Sequence, residues 1–205
     1  MICIPIAAEG PGDVIAKMER AAPLADIIEL RIDRMRNPDL ERLLGAKRTA
    51  VIVTNRRREE GGGFSGTEAE RIALLMKAAL LGAEYVDLET ATDPALKASL
   101  RSSLAGTSTQ LIVSWHDFSG TPPADCLQAK MEQCMADGPD VVKIVTHAGQ
   151  AADCLRVLEL IPRAGLKGQK IIAFCMGEAG RISRIAAPAL GSLISYASLG
   201  PGDAS

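Results

Sequence analysis

The chain has 205 residues, 47% of them hydrophobic and 23% charged, and a formal net charge of −2, which is typical of an ordinary globular protein. The basic residues are spread along the chain and aromatic residues are few, which argues against a nucleic-acid-binding protein. Five cysteines without a C-x-x-C pair and only two histidines argue against a metal site and favour a cytoplasmic protein, and no segment has the pattern of a signal peptide or a membrane span.

Short β-branched apolar runs alternate with longer amphipathic stretches, which predicts a parallel sheet covered by helices. The predicted strands are 1–6, 27–32, 50–54, 85–88, 110–115, 141–145, 170–174 and 193–197. The predicted helices are 13–21, 39–44, 68–81, 94–104, 124–136, 151–161 and 181–190. This pattern favours an α/β protein with the (β/α)8 TIM-barrel fold, and an open doubly wound sheet is the alternative.

The helix predicted at 68–81 has the clearest boundary signals. Ser65 with Glu68 fits a capping box, apolar residues recur at helical spacing, and Gly82 is a suitable stop.

Only residues 198–205 follow the last predicted strand, so we expect the eighth helix of a complete barrel to be absent from this sequence. No linker or repeat divides it, and we expect a single domain over residues 1–205. The seam between the first and seventh predicted helices would expose apolar surface, which makes a homodimer one expected assembly.

The sixth predicted strand carries Lys143 in the middle of an apolar run. Valine and isoleucine on both sides favour a strand that is buried on both faces. A buried ammonium either meets a counter-charge or loses its proton, and the neutral amine is a nucleophile toward ketones. The structural alternative is a lysine that reaches the strand end or forms an ion pair.

Polar residues end other predicted strands, where the chemistry of a barrel is located. A period of two puts Glu29 and Arg31 on one face of the second strand, although a solvated edge strand is the alternative. His116 ends the fifth strand and is a candidate base, because imidazole transfers protons near neutral pH; a hydrogen-bonded structural histidine is the alternative. His147 shares the face of Lys143 by spacing, but we expect it to lie in the following loop.

Two loops add charged residues. The third strand leads into a segment that runs from Arg56 to Glu60 and is closed by glycines, which predicts either an anion or polyol clamp or a solvated loop. After the seventh strand, Gly177 and Gly180 lead into a helix that carries Arg184, which is suited to hold a carboxylate bidentately.

Together these residues resemble the type I 3-dehydroquinate dehydratases of the shikimate pathway. The resemblance rests on six motifs in chain order: 29–33, Arg56 with 60–62, 85–89, 114–118, 142–144, and 176–177 with 183–184.

The resemblance implies a hydro-lyase in which Lys143 forms a Schiff base with the C3 ketone of 3-dehydroquinate, without a metal or cofactor. It implies that His116 takes the C2 proton and returns a proton to the leaving C1 hydroxyl. Glu60 would orient His116, and Arg184 would bind the substrate carboxylate.

The resemblance also assigns substrate contacts to Glu29, Leu30, Arg31 and Arg56, and to Ser205, which matches a serine of the family's closing loop. A class I aldolase-type barrel is an alternative that a buried lysine alone permits. A non-catalytic binding barrel is a third hypothesis if the chain ends at Ser205.

Overall fold

The computed structural model describes residues 1–200. Its strands are β1 (Ile2–Ile6), β2 (Ile27–Arg31), β3 (Ala50–Thr54), β4 (Tyr85–Glu89), β5 (Gln110–Asp117), β6 (Val141–His147), β7 (Lys170–Met176) and β8 (Ser195–Tyr196). The helices are α1 (Pro11–Ala21), α2 (Leu40–Gly45), α3 (Glu68–Leu80), α4 (Pro94–Leu104), α5 (Ala124–Ala136), α6 (Ala151–Leu158), α7 (Leu160–Leu166) and α8 (Arg181–Ala186). Short 3₁₀ helices lie at Ile32–Arg34, Arg58–Glu60 and Ala187–Leu190. The sheet order is β7-β6-β5-β4-β3-β2-β1-β8.

The chain divides into two compact units. The N-terminal unit comprises Ile2–Leu88, Thr92–Leu111 and the described residues from Tyr196 onward. The C-terminal unit comprises Met1, Glu89–Ala91 and Ile112–Ser195. The single domain expected from the sequence stays a prediction.

In the N-terminal unit, β1 to β4 pair in parallel register. Apart from the exposed Ile2 at the start of β1, their valine and isoleucine side chains are buried, as expected for strands covered on both faces. One row of this register places Arg31, Thr54 and Asp87 side by side on β2, β3 and β4. The N-terminal unit therefore presents a polar row at the carboxyl ends of three strands.

In the C-terminal unit, β5, β6 and β7 pair in parallel register. Leu127, Met131 and Val157 of the covering helices are fully buried. Because strand residues alternate between faces, Lys143 and Val145 lie on the face opposite to Ile144.

Proline divides one predicted helix. The segment 151–161 forms two helices, since α6 ends at Leu158 and α7 begins at Leu160. Pro162 has no backbone N–H to donate to the carbonyl of Leu158, so the single predicted helix is wrong. Proline also shortens the helix predicted at 181–190. Pro188 cannot donate to the carbonyl of Arg184, which instead accepts a hydrogen bond from Ser195 Oγ at 2.5 Å.

The capping box of α3 is two residues further along than the sequence predicts. Thr67 Oγ1 accepts from the Glu70 N–H at 3.2 Å, and the Glu70 carboxylate accepts from the Thr67 N–H at 2.8 Å. The predicted Ser65–Glu68 pair is wrong because Glu68 is the first helical residue and bonds the Arg71 side chain instead.

Several strand boundaries also differ from prediction, among them those of β6 and β8. His147 is the last residue of β6 rather than a loop residue, because β7 extends to Met176 and pairs with it. The last strand is shorter than predicted, with only Ser195 and Tyr196. The predictions about an eighth helix and Ser205 lie outside the described residues. Within residues 1–200, no helix combines the length and apolar character needed to cross a membrane.

Candidate active site

Lys143 is at the centre of β6 and is 3% exposed. Its neighbours in register are Ser114 on β5 and Ile172 on β7, and both are fully buried. The lysine therefore has a hydroxyl on one side and an apolar side chain on the other, on the same face of the sheet. Lys143 is thus a buried amine at the centre of the strand, and an amine is the nucleophile that forms an imine with a ketone.

His116 lies on the same face, one row nearer the carboxyl ends of the strands. Its register partner is Val145, two residues beyond Lys143 on the adjacent strand. The imidazole stacks on Phe118 with the ring centroids 6.1 Å apart and the planes at 9°. The structure thus brings the predicted nucleophile and the predicted base together on neighbouring strands.

Arg184 lies over Phe174, with its Cζ atom 6.0 Å from the ring centroid. Phe174 is the β7 neighbour of Val145, so the arginine lies above the row that contains His116. Its Nε is buried and has no hydrogen-bond partner within residues 1–200. The guanidinium therefore retains an unused donor, as a carboxylate-binding arginine requires.

Ser183, the residue before Arg184, fixes the start of α8 to β7. Its buried Oγ accepts from the Cys175 N–H at 2.8 Å and donates to the Gly180 carbonyl at 2.6 Å. Gly180 has no room for a side chain, because a Cβ there would lie 2.3 Å from the Met176 carbonyl oxygen. These contacts hold the helix that carries the arginine.

The N-terminal unit carries its own polar cluster, and its strongest pair is Arg56 with Asp87. The guanidinium donates to both carboxylate oxygens at 2.9 and 2.8 Å, and the side chains are 4% and 0% exposed. The sequence motifs did not identify Asp87 as a partner of Arg56. The available signal was the acidic alternation in residues 85–89, but the pairing depends on strand register.

Arg31 forms a second forked pair, with Asp33 at 2.8 and 2.9 Å. Burial alone would lower the pKa of the Arg31 guanidinium, but hydrogen bonds and charge from Asp33 raise it above its ordinary value. Burial alone would raise the pKa of Asp33, but Arg31 and the Gly63 N–H hold it below its usual range. Beside them, Thr54 Oγ1 donates to Glu29 at 2.7 Å.

Glu60 is buried at the end of the 3₁₀ helix Arg58–Glu60. The segment after the third strand is therefore not the fully solvated loop that was one of the two sequence-based expectations. The turn after it is tight, because a Cβ on Gly62 would lie 1.8 Å from the Arg56 carbonyl oxygen. Glu60 belongs to the N-terminal unit and His116 to the C-terminal unit. The role of Glu60 in orienting His116 stays a prediction.

Two further predicted contacts are not tested by the structure. Leu30 is fully buried between Glu29 and Arg31, on the opposite face of β2, and its contact with substrate stays a prediction. Ser205 lies outside the described residues.

Tyr196 on β8 lies near Glu29 and Asp87 of the N-terminal unit, and sequence reasoning did not single it out. Burial raises the pKa of its phenol well above the ordinary value, and the nearby charges of Glu29 and Asp87 raise it further. Tyrosine near the end of a short predicted strand carried no distinctive sequence signal.

A family model for type I 3-dehydroquinase matches residues 2–205. The chain belongs to this family. A 3-dehydroquinate dehydratase of Desulfotalea psychrophila is 41% identical over 172 residues, which are 84% of this chain and 76% of that protein. A 3-dehydroquinate dehydratase of Methanococcus maripaludis is 35% identical over 200 residues, which are 98% of this chain and 90% of that protein.

Solved structures confirm the predicted (β/α)8 TIM-barrel fold. The 3-dehydroquinate dehydratase of Geobacillus kaustophilus superposes with a TM-score of 0.88 at 30% identity, covering 96% of this chain and 81% of that one. The type I enzyme of Clostridium difficile gives a TM-score of 0.90 at 23% identity, covering 97% and 84%. The open doubly wound alternative is therefore wrong.

Proposed function

We propose that the protein is a 3-dehydroquinate dehydratase, a hydro-lyase that converts 3-dehydroquinate into 3-dehydroshikimate through a Schiff base. Membership of the type I 3-dehydroquinase family supports this activity. The observation that carries the mechanism is Lys143, buried in the middle of β6 with His116 one row away on β5.

Lys143 opens the reaction. Its amine adds to the C3 ketone and water leaves, which gives a protonated imine. A proton on C2 is then more acidic, because the electron pair left on carbon is delocalised into the iminium.

His116 moves the protons. It takes the C2 proton as a general base and then donates a proton to the C1 hydroxyl, which leaves as water while the C1–C2 double bond forms. Hydrolysis of the imine releases the product ketone and restores Lys143.

Recognition of the substrate is assigned to arginines and a carboxylate. Arg184 binds the substrate carboxylate, which its buried and unused Nε supports. Glu29, Arg31 and Arg56 are assigned to the hydroxyl groups. The ion pair with Asp87 supports this role for Arg56, because it holds the guanidinium in one orientation.

Borohydride trapping tests the proposal. Incubation with 3-dehydroquinate and borohydride should add one reduced substrate to Lys143, located by peptide mass spectrometry, and turnover should give the absorbance of 3-dehydroshikimate. Lys143→Ala should lose both signals, whereas Lys170→Ala, at the exposed start of β7, should lose neither. Labelling of another residue, or cleavage of a carbon–carbon bond as in an aldolase, would refute the assignment.

His116→Ala separates the two roles. This variant should still accumulate some trapped imine but convert it slowly, since the amine is intact and the base is missing. Equal loss of the trapped adduct in Lys143→Ala and His116→Ala would contradict the assignment of imine formation to Lys143 and proton transfer to His116. Binding of the substrate without turnover by the intact wild type would favour the non-catalytic barrel.

We also propose that the protein is cytoplasmic and forms a homodimer. The five cysteines are free thiols, which fits a reducing compartment. The helix predicted at 181–190 exposes Ile182, Ile185 and Leu190, which supports self-association through this surface. Light scattering across a concentration series measures the assembly, and a strict monomer would refute it.

A further inference from the structure

His147 lies at the carboxyl end of β6, on the face that carries Lys143. Its register partner is Met176, so the strand is regular up to this residue and the alternation of faces holds. His147 is four positions after Lys143, which places their Cα atoms about 13 Å apart along the strand. A substrate attached to the lysine amine and oriented toward the carboxyl end of β6 would reach toward His147.

The imidazole of His147 packs against Gly177. A Cβ built on Gly177 would lie 2.7 Å from Nε2 and 3.0 Å from Cε1 of the histidine. Gly177 has φ of +82°, a conformation that glycine adopts without strain. The ring therefore occupies the space that a side chain at position 177 would need.

Neither ring nitrogen of His147 makes a hydrogen bond within the described part of the chain; only its backbone does, with Gly120 and Thr121. The carboxylates on the neighbouring segments are engaged elsewhere. Asp117 accepts from Ser119, Asp153 from the backbone of Gly149 and Gln150 and from Arg156, and Glu178 from Arg181. The imidazole is half-buried and keeps its hydrogen-bonding capacity unused.

Arg184 converges on the same end of β7. It lies over Phe174, the β7 residue one row below Met176, and its Nε is also unused within residues 1–200. A guanidinium fork can satisfy two of the acceptor positions of a carboxylate, which leaves the others open to a second donor.

We propose that His147 is a second hydrogen-bond donor for the substrate carboxylate that Arg184 holds. The His147 imidazole would then contribute, with Arg184, to the preference for a carboxylate. Glycine at position 177 leaves the space that the imidazole occupies. This assignment rests on the proposed function, since it names a further group at the same site.

The test uses quinate, the substrate with its C3 ketone reduced to a hydroxyl, and quinate methyl ester. Neither can form an imine, so calorimetry on the whole protein measures binding alone. Wild type should prefer the acid. His147→Phe should weaken acid binding about tenfold or more, the loss expected for a hydrogen bond to a charged group, and leave the ester unchanged. His147→Gln keeps an N–H donor and should retain most of the preference.

Kinetics give a second readout. His147→Phe should raise KM for 3-dehydroquinate about tenfold while kcat and the borohydride adduct at saturation stay near wild type. Gly177→Ala should cause the same loss of preference by displacing the ring. Its matched control is Gly168→Ala, which also has a positive φ, of +70°, but no atom within 4 Å of the added Cβ.

Two results would overturn the assignment. If His147→Phe keeps the preference for quinate over its methyl ester, the histidine does not contribute to carboxylate binding. If the variant loses acid and ester binding equally, the histidine contributes only to the shape of the site. Failure of wild type to dehydrate 3-dehydroquinate would instead refute the proposed function. The comparison of acid with ester needs no turnover, so the two failures are distinguishable.

Discussion

Removing Asp87 should destabilise the fold far more than removing a surface carboxylate. The Asp87 side chain is fully buried and satisfies the fork of Arg56, whose side chain is 4% exposed. Asp87→Ala leaves that guanidinium buried without its counter-charge, a change that costs about 3 to 5 kcal/mol in comparable sites. Since small domains have about 5 to 15 kcal/mol of stability in total, this is a large fraction.

Urea unfolding at equilibrium measures the cost, with Glu159→Ala as control. Glu159 pairs with Arg163 on the surface, where the side chains are 53% and 42% exposed, and the loss should be about 0.5 kcal/mol or less. A double-mutant cycle of Asp87→Ala with Arg56→Ala should give a coupling of about 2 kcal/mol or more. A cost for Asp87→Ala below about 1 kcal/mol, or equal to that of the control, would refute the reasoning.

Two further predictions concern α3 and the thiols. Thr67→Ala should cost about 1 kcal/mol in the same urea assay because it removes the observed N-cap, whereas Ser65→Ala should stay within about 0.5 kcal/mol; the reverse order would contradict the observed cap. Iodoacetamide should modify Cys126 first, because it is exposed, and Cys175 slowly, because burial raises the pKa of its thiol to about 11. Peptide mapping over time measures the order, and early labelling of Cys175 would refute it.

The sequence identified the strands well because burial on both faces demands continuous apolar runs, and Lys143 was conspicuous as an exception to that demand. The prediction that His147 lies in a loop was wrong for a non-local reason. Whether β6 continues past Val145 depends on a partner residue on β7. Nothing in residues 141–147 specifies that partner.

The predicted helix boundaries at α3 and at residues 151–161 were wrong for local reasons. Both Ser65-x-x-Glu68 and Thr67-x-x-Glu70 satisfy the capping pattern, and the path of the preceding loop decides between them. The break before Leu160 was readable from Pro162, since proline cannot continue a helix that began several residues earlier.

The sequence indicated which charged residues end the strands but not how those residues pair. Arg56 and Asp87 are 31 residues apart, and their contact follows from the parallel register of β3 and β4. A charged residue at a strand end can be identified from the sequence, but the residue that pairs with it depends on the register of the neighbouring strands.

The order of the strands has a consequence for how the protein is made. From β1 to β7 each strand lies beside the strand synthesised just before it, so a chain emerging from the ribosome can extend the sheet step by step. β8 is the exception, because its neighbour β1 is made before β2 to β7; the Ser195 N–H and the Ala197 N–H donate to the carbonyls of Met1 and Cys3. The two-residue strand β8 can therefore pair with β1 only after β2 to β7 have been translated, and this pairing closes a loop that contains all six of those strands.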